Sequence, residues 1–251
     1  MTRSSIRLSG PRLSDDPTPG PGDAAAWWWP TSAAAPADIA LLDDHERERA
    51  DRIRSAAKTA EFVSCRASVR RILSGLLDTP PDEIRLGTRP CPGCGDPRHG
   101  PPTVLRPSTP WWISISHTAG CGMLAVASVP VGVDVERMRD VRIEELADTA
   151  LTPSEGAFLR LLPDRTARTA AFLRCWTRKE AVLKAVGVGI STDLGALESH
   201  PGSPGTAVMN AGVPGTPAAW SVSDLPLPAP WVASVALPAD SSTSVRTVSL
   251  P

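Results

Sequence analysis

Apolar residues at Phe172, Cys175, Trp176, Leu183 and Val186 recur with a helical period through FLRCWTRKEAVLKAVGVG, residues 172–189. The stretch contains no proline and good helix formers, and Gly187 and Gly189 stand at its end as stop signals. Lys179 falls near the middle of the apolar stripe, where a cation is costly unless paired or able to snorkel out. Glu180 and Lys184 lie one turn apart at the edge of the stripe.

Other patterns organise the rest of the chain. Residues 24–29 form a short apolar run closed by Pro30, which predicts a strand whose Trp27, Trp28 and Trp29 pack in a core or on a sheet face rather than stack on a ligand. Residues 36–77 read as helical, with a second helix over 59–77. Residues 111–116 alternate as a strand, with Trp111, Ile113 and Ile115 on one side. Residues 122–129 and 131–136 predict two strands meeting at Pro130 as a hairpin. In the second, Val131, Val133 and Val135 face one way, and Gly132, Asp134 and Glu136 the other. Residues 143–168 read as helical with a stop at 151–153. There Thr152, Pro153 and Glu155 form a capping-box pattern that starts a new helix. A Gly/Pro-rich loop over 199–217 and two closing strands, 220–222 and 231–237, complete the pattern, with tails over 1–23 and 239–251.

Composition narrows the function. At 251 residues and a formal net charge of −1, the chain offers no general attraction for nucleic acid or anionic membrane. It has no apolar run of membrane-spanning length and no N-terminal apolar core of a signal peptide, which predicts a cytoplasmic protein. Its five cysteines are odd in number and scattered, so reduced thiols are expected. Cys91-Pro-Gly-Cys94 with His99 looks like half of a zinc site. A second pair of ligands is missing, and structural zinc takes four, so no stoichiometric zinc is expected.

The candidate chemistry gathers around charge. The chain has only three lysines (Lys58, Lys179 and Lys184), and two lie on the 172–189 helix. An exposed helical cation could as well be Arg, so Lys here hints that a compact ammonium is wanted. Asp134 and Glu136 on one strand face, with Glu180 from the helix, give three carboxylates. Hard oxygen ligands suit Mg²⁺, which usually also binds a substrate phosphate. Ser116 and His117 at a strand end beside Gly120 add a donor pair. The 36–77 region carries Arg47, Arg49, Arg52, Arg54, Lys58, Arg66, Arg70 and Arg71. Most balance nearby acids, and one or two are free to face a phosphate. A Lys, a His and a metal together suit a diphosphate.

The segments SISHTAG, VGVDVE and WTRKEAVLKAVGVG resemble, in order and spacing, the motifs of Sfp-type 4′-phosphopantetheinyl transferases. Looser likeness runs from residue 27 to 237 and includes RASVRRIL and CPGCGDPRHG. The resemblance implies an α+β fold of two similar halves, 24–129 and 130–238, related by a pseudo-twofold axis, with coenzyme A between them. It implies transfer of the phosphopantetheine arm to a serine of an acyl or peptidyl carrier protein, releasing adenosine 3′,5′-bisphosphate, as in polyketide or nonribosomal peptide biosynthesis. Asp134, Glu136 and Glu180 would hold Mg²⁺, with Mn²⁺ able to substitute, and Glu180 would be the base. Lys184 would contact the diphosphate, Ser116, His117 and Arg49 the coenzyme A phosphates, and the enzyme would act as a monomer. One departure concerns the loop at His99-Gly100-Pro101-Pro102. The family carries Lys or Arg where this chain has Pro101, leaving Arg98 or Arg106 to replace it. The competing readings are a degenerate coenzyme A binder without transfer and a metal-dependent phosphohydrolase using the same carboxylates.

Overall fold

The computed structural model describes residues 23–31, 33–188, 193–213, 215–241 and 244–250. The expected N-terminal tail therefore lies outside the described residues apart from Asp23, as does Gly189. The chain runs β1 (Asp23–Pro30), α1 (Pro36–Ala40), α2 (Asp44–Arg52), α3 (Ala56–Leu77), β2 (Arg85–Thr88), β3 (Pro102–Arg106), β4 (Trp112–Thr118), β5 (Cys121–Ala127), β6 (Gly132–Arg137), α4 (Ile143–Ala150), α5 (Pro153–Leu161), α6 (Arg165–Val186), β7 (Thr206–Asn210), β8 (Ala219–Leu225), β9 (Trp231–Pro238) and β10 (Ser244–Ser249).

Local chemistry sets the helix ends. Thr152 and Glu155 exchange the two hydrogen bonds of a capping box at the start of α5, and Asp43 and Glu46 do the same for α2. The Asp164 carboxylate accepts the Ala167 N–H at 2.8 Å and opens α6 a full two turns before the predicted start. Gly187 closes α6 at φ +89°, a left-handed conformation in which a Cβ would be strained, and its N–H reaches the Leu183 carbonyl.

Two four-stranded sheets carry the fold, in the orders β10-β1-β5-β4 and β6-β9-β8-β7, with β2 and β3 paired separately. Period-two alternation divides the core into layers. Ala25, Trp27, Trp29, Leu124 and Val126 pack one face of the first sheet on Cys65, Val69, Ile72 and Leu73 of α3. Ala24, Ala26, Met123 and Ala125 on its other face meet Val133, Val135, Ala233 and Val235 of the second sheet. The outer face of the second sheet, with Met209, Trp220, Val222 and Ala236, packs on Ala181, Val182 and Ala185 of α6. The layers are thus helix, sheet, sheet, helix, a mixed α+β fold as expected. Burying side chains of this size contributes about 1.5–3 kcal/mol each for the larger aliphatics. Trp27 and Trp29 are buried, and Trp28 packs against Trp231 with ring centroids 6.0 Å apart.

The same sequence of a strand, three helices ending in one of 22 residues, and returning antiparallel strands occurs twice, as β1 to β5 and as β6 to β9. In each, the first strand pairs antiparallel with the last, β1 with β5 and β6 with β9.

Three expectations are corrected. β5 and β6 do not form a hairpin: β5 has both edges taken by β1 and β4, and β6 pairs with β9 in the other sheet. The expected loop after residue 199 contains strand β7, whose buried Ala207 and Met209 alternate with exposed neighbours too briefly to stand out. The expected C-terminal tail contains β10, which pairs parallel with β1 from Asp23↔Ser244 to Trp28↔Ser249. No helix among the described residues is long and apolar enough to cross a membrane.

Candidate functional site

The site begins with a glycine. A Cβ on Gly132 would stand 1.8 Å from the Ala181 carbonyl oxygen and 2.5 Å from the Ala185 nitrogen. Only glycine lets the backbone of α6 lie against the first residue of β6. That close approach is why Asp134 and Glu136, on the same strand face as Gly132, come opposite Glu180 and Lys184 on α6. Alternation and helical period, each readable alone, meet here in space.

Lys184 donates through Nζ to Asp134 Oδ1 at 2.7 Å, to Ser116 Oγ at 2.9 Å and to the Val133 carbonyl at 3.2 Å. Ser116 donates to the same Asp134 oxygen at 2.9 Å. The other oxygen, Asp134 Oδ2, is buried with no partner, as is Glu180 Oε1. Leaving buried carboxylate oxygens unpaired is costly, and a cation would satisfy both. Burial, and next the Asp134 charge, raise the pKa of Glu180 and of Glu136 above the ordinary carboxylate value. Glu136 accepts from Arg139 at 3.1 Å and lies 3.5 Å from the Thr118 hydroxyl. Three like charges with Lys184 and Arg139 near them leave a residual negative charge that a divalent cation would neutralise, and their oxygens are the hard ligands such an ion prefers. The donor set therefore fits Mg²⁺. The three carboxylates are not gathered within 4.8 Å of one another; the Lys184 ammonium sits on Asp134 instead.

β4 supplies the other wall. Its hydroxyls at Ser114, Ser116 and Thr118 face β6, and Ser114 and Ser116 accept the Val133 and Val135 N–H groups at 3.0 and 3.4 Å. The two sheets are joined by side-chain hydroxyls where a paired strand would otherwise lie. Strand alternation also separates the expected Ser116–His117 pair. Ser116 is buried and turned to Asp134 and Lys184, whereas His117 turns to α3, with Nδ1 3.6 Å from Glu61 Oε1. Burial lowers the His117 pKa, with Glu61 opposing and Lys184 and Arg66 reinforcing the shift. Arg49 stacks over Phe62 at 5.1 Å, and Arg66 over the same ring at 5.6 Å. Of the eight cations of this region, these two share a ring, and Arg66 reaches His117 electrostatically. Arg66 also pairs with Glu46, at 3.5 Å, while Arg70 is paired with Asp43 and Glu46 and Arg71 with Asp38.

The loop between β2 and β3 lies against the end of α6. A Cβ on Gly187 would stand 2.5 Å from Pro101. Arg98 is held by Asp96. Arg89, which sequence reasoning did not single out, stacks over Trp112 at 3.9 Å and lines a cavity of about 150 Å³ together with Pro101, Trp112 and Val186. Its proximity to Pro101 across twelve residues was visible only after β2 and β3 paired. A larger concavity of about 400 Å³, lined by Met138, Arg139, Asp140, Arg165, Thr166 and Thr169, touches the carboxylates only through Arg139.

Comparison with known proteins bears on the segments that build this site. Residues 130–236, from β6 to β9, match the sequence model of the 4′-phosphopantetheinyl transferase superfamily. The chain is 33% identical over 156 residues to the 4′-phosphopantetheinyl transferase HetI of Nostoc, covering 61% of this chain and 62% of that protein. It is 29% identical over 171 residues to a putative 4′-phosphopantetheinyl transferase of Synechocystis, covering 67% and 66%. It is 25% identical over 182 residues to the mouse L-aminoadipate-semialdehyde dehydrogenase-phosphopantetheinyl transferase, covering 68% and 56%. The matched part thus spans 56–66% of these relatives' own length.

Proposed function

We propose that this chain, whose residues 130–236 match the sequence model of the 4′-phosphopantetheinyl transferase superfamily, transfers the phosphopantetheine arm of coenzyme A to a serine of an apo acyl or peptidyl carrier protein. The observation that carries the reading is the pair of unpartnered buried oxygens, Asp134 Oδ2 and Glu180 Oε1, beside Lys184. They lie in the two motifs, VGVDVE and WTRKEAVLKAVGVG, on which the resemblance rests.

In this reading the carrier serine Oγ attacks the pantetheine-side phosphorus of the diphosphate. A new P–O bond forms to serine, and the P–O bond to adenosine 3′,5′-bisphosphate breaks. Glu180 accepts the serine proton, a role suited to a carboxylate whose pKa burial raises above the ordinary value. Asp134, Glu136 and Glu180 would hold Mg²⁺, which when bound supplies charge neutralisation to the diphosphate. Lys184, now on Asp134, is placed to share that negative charge and to contact the diphosphate. Ser116 holds Lys184 and Asp134 in register. His117, Arg49 and Arg66 form the basic wall on α2, α3 and β4 that receives the remaining phosphates of coenzyme A. Arg89 stands beside Pro101, where the family carries its own cation. The division at residues 129–130 makes the site a junction of two halves, and the protein works in the cytoplasm as a monomer.

The test is to incubate the chain with coenzyme A, Mg²⁺ and an apo carrier protein and to weigh the carrier. Transfer adds about 340 Da to one serine. An unmodified carrier with free phosphopantetheine would mean hydrolysis instead, and an unmodified carrier with coenzyme A held intact would mean binding without transfer.

A further inference from the structure

We propose that Cys91, Cys94 and His99 bind one zinc ion, with solvent as its fourth ligand, and that the ion fastens the β2–β3 loop to the end of α6. Among the described residues, this is the one group of three or more His, Cys, Asp or Glu side chains whose ligand atoms all lie within 4.8 Å of one another. Sulfur and nitrogen ligands at about 2.0–2.3 Å around a tetrahedral zinc stand roughly 3.3–3.8 Å apart. Cys94 Sγ and His99 Nε2 are 3.2 Å apart, close to that spacing before any ion draws them into line.

The backbone is already folded around the sulfurs. Gly95 N–H donates to the Cys91 carbonyl at 2.7 Å, and Cys91 N–H to the Asp96 carbonyl at 2.9 Å. Gly95 takes φ +75°, which closes the turn. The Pro-Gly spacer of the CxxC and the following glycine thus serve the geometry of this turn. The other cysteines differ: Cys65, Cys121 and Cys175 are each buried in the core, away from any such group. A pair of cysteines poised only for a disulfide would have no use for a histidine nitrogen at ligand distance from the second sulfur.

Between β2 and β3 the residues at 90–101 form turns without regular structure, and Cys91 is the loop's contribution to the apolar cluster with Ala181, Leu183 and Val186. Gly93 approaches Val188, and Pro101 approaches Gly187, at the point where α6 ends. An ion bridging Cys91 inside to Cys94 and His99 outside would tie both ends of the turn to the helix that carries Glu180 and Lys184. Count of ligands in the sequence argued against zinc; three converged ligands with an exposed fourth position favour it.

The experiment uses the full chain without an affinity tag, grown with added zinc and purified without chelator. Elemental analysis is expected to find one equivalent of zinc, lost in Cys94→Ser and reduced in His99→Ala, and retained in Cys175→Ser. Chelator-stripped protein titrated with Co²⁺ is expected to develop a thiolate-to-cobalt charge-transfer absorption that Cys94→Ser weakens. Both cysteine-loop substitutions are at exposed positions, and the Asp134, Glu136 and Glu180 group is intact in each. Zinc retained undiminished in Cys94→Ser/His99→Ala would assign the metal to the carboxylates and overturn the proposal. So would a zinc-free wild type that gives no charge-transfer band with Co²⁺. Neither result bears on whether a carrier serine is modified, so the two readings fail separately.

Discussion

Two lysine–carboxylate pairs lie five residues apart on α6, and they are built to opposite ends. Lys179 is 1% exposed and donates to Glu155 at 2.6 Å, to the Ala150 carbonyl at 2.6 Å and to the Leu194 carbonyl at 2.9 Å. Glu155 also accepts from the Thr152 and Ser199 N–H groups and the Ser199 hydroxyl. Every polar atom of that pair is used, and it ties α4, α5 and α6 to the chain beyond. Lys184 and Asp134 share one oxygen and leave the other open, with Glu180 open beside it. A satisfied buried pair is architecture; an unsatisfied one is held in place by the fold around it and can still take a ligand. Arg178 repeats the first type, with Asp224 and three carbonyls around its guanidinium.

Substitutions at the two pairs should separate these roles. The largest effect is expected from Glu180→Gln, which keeps shape but removes charge and basicity. Carrier modification should fall about 10²–10⁴-fold while coenzyme A binding changes far less. Equal losses in turnover and in binding would make Glu180 a binding residue and not a base. Next comes Lys179→Met, which strands Glu155 as a buried charge. Urea denaturation should show a loss of about 3–5 kcal/mol in stability. Lys184→Met, in a half-buried pair, should lose clearly less; equal losses would end the distinction between the two lysines.

A smaller effect is expected on ligand binding. Lys184→Ala should weaken coenzyme A binding by about 1.5–3 kcal/mol, read by calorimetry. Binding unchanged in that variant would place the diphosphate elsewhere. The smallest is a pH dependence. Glu136 and Glu180 hold protons more tightly folded than unfolded, chiefly through burial and then through Asp134. Their contribution to stability is present below the ordinary carboxylate value of 4.5 and is lost as pH rises through the raised folded values. Mg²⁺ should restore it at neutral pH. A metal-free melting temperature that climbs across that interval because of these groups, or one in which Glu180→Gln changes nothing, would remove the like-charge cluster.

How much of this was legible beforehand follows from the range of each signal. The helix through residues 172–186, the Thr152–Glu155 capping box and the alternation of residues 131–136 were all readable, because each is a pattern within a few residues along the chain. The unease over a cation in the α6 stripe was also well founded, since Lys179 needed and found a buried partner. The hairpin at Pro130 failed because strand propensity does not say which edge a strand will find, and β5 had none free. β10 failed because its pairing with β1 joins the two ends of the fold and leaves no local trace. Arg66 was one of eight cations until Phe62 and His117 singled it out.

By itself, then, the sequence determined most of the elements, their buried faces and the carboxylates, lysines and cysteines of the proposed sites, because side-chain period and capping act over single turns and strands. Only the tertiary structure decided which of these meet. Gly132 admits α6 to β6, Ser114 and Ser116 join one sheet to the other, and strand alternation sends Ser116 to the carboxylates and His117 to α3. Those outcomes depend on close approach between segments far apart in the chain, where a contact of a few ångströms, and not a residue's type, sets whether a charge is paired or left open.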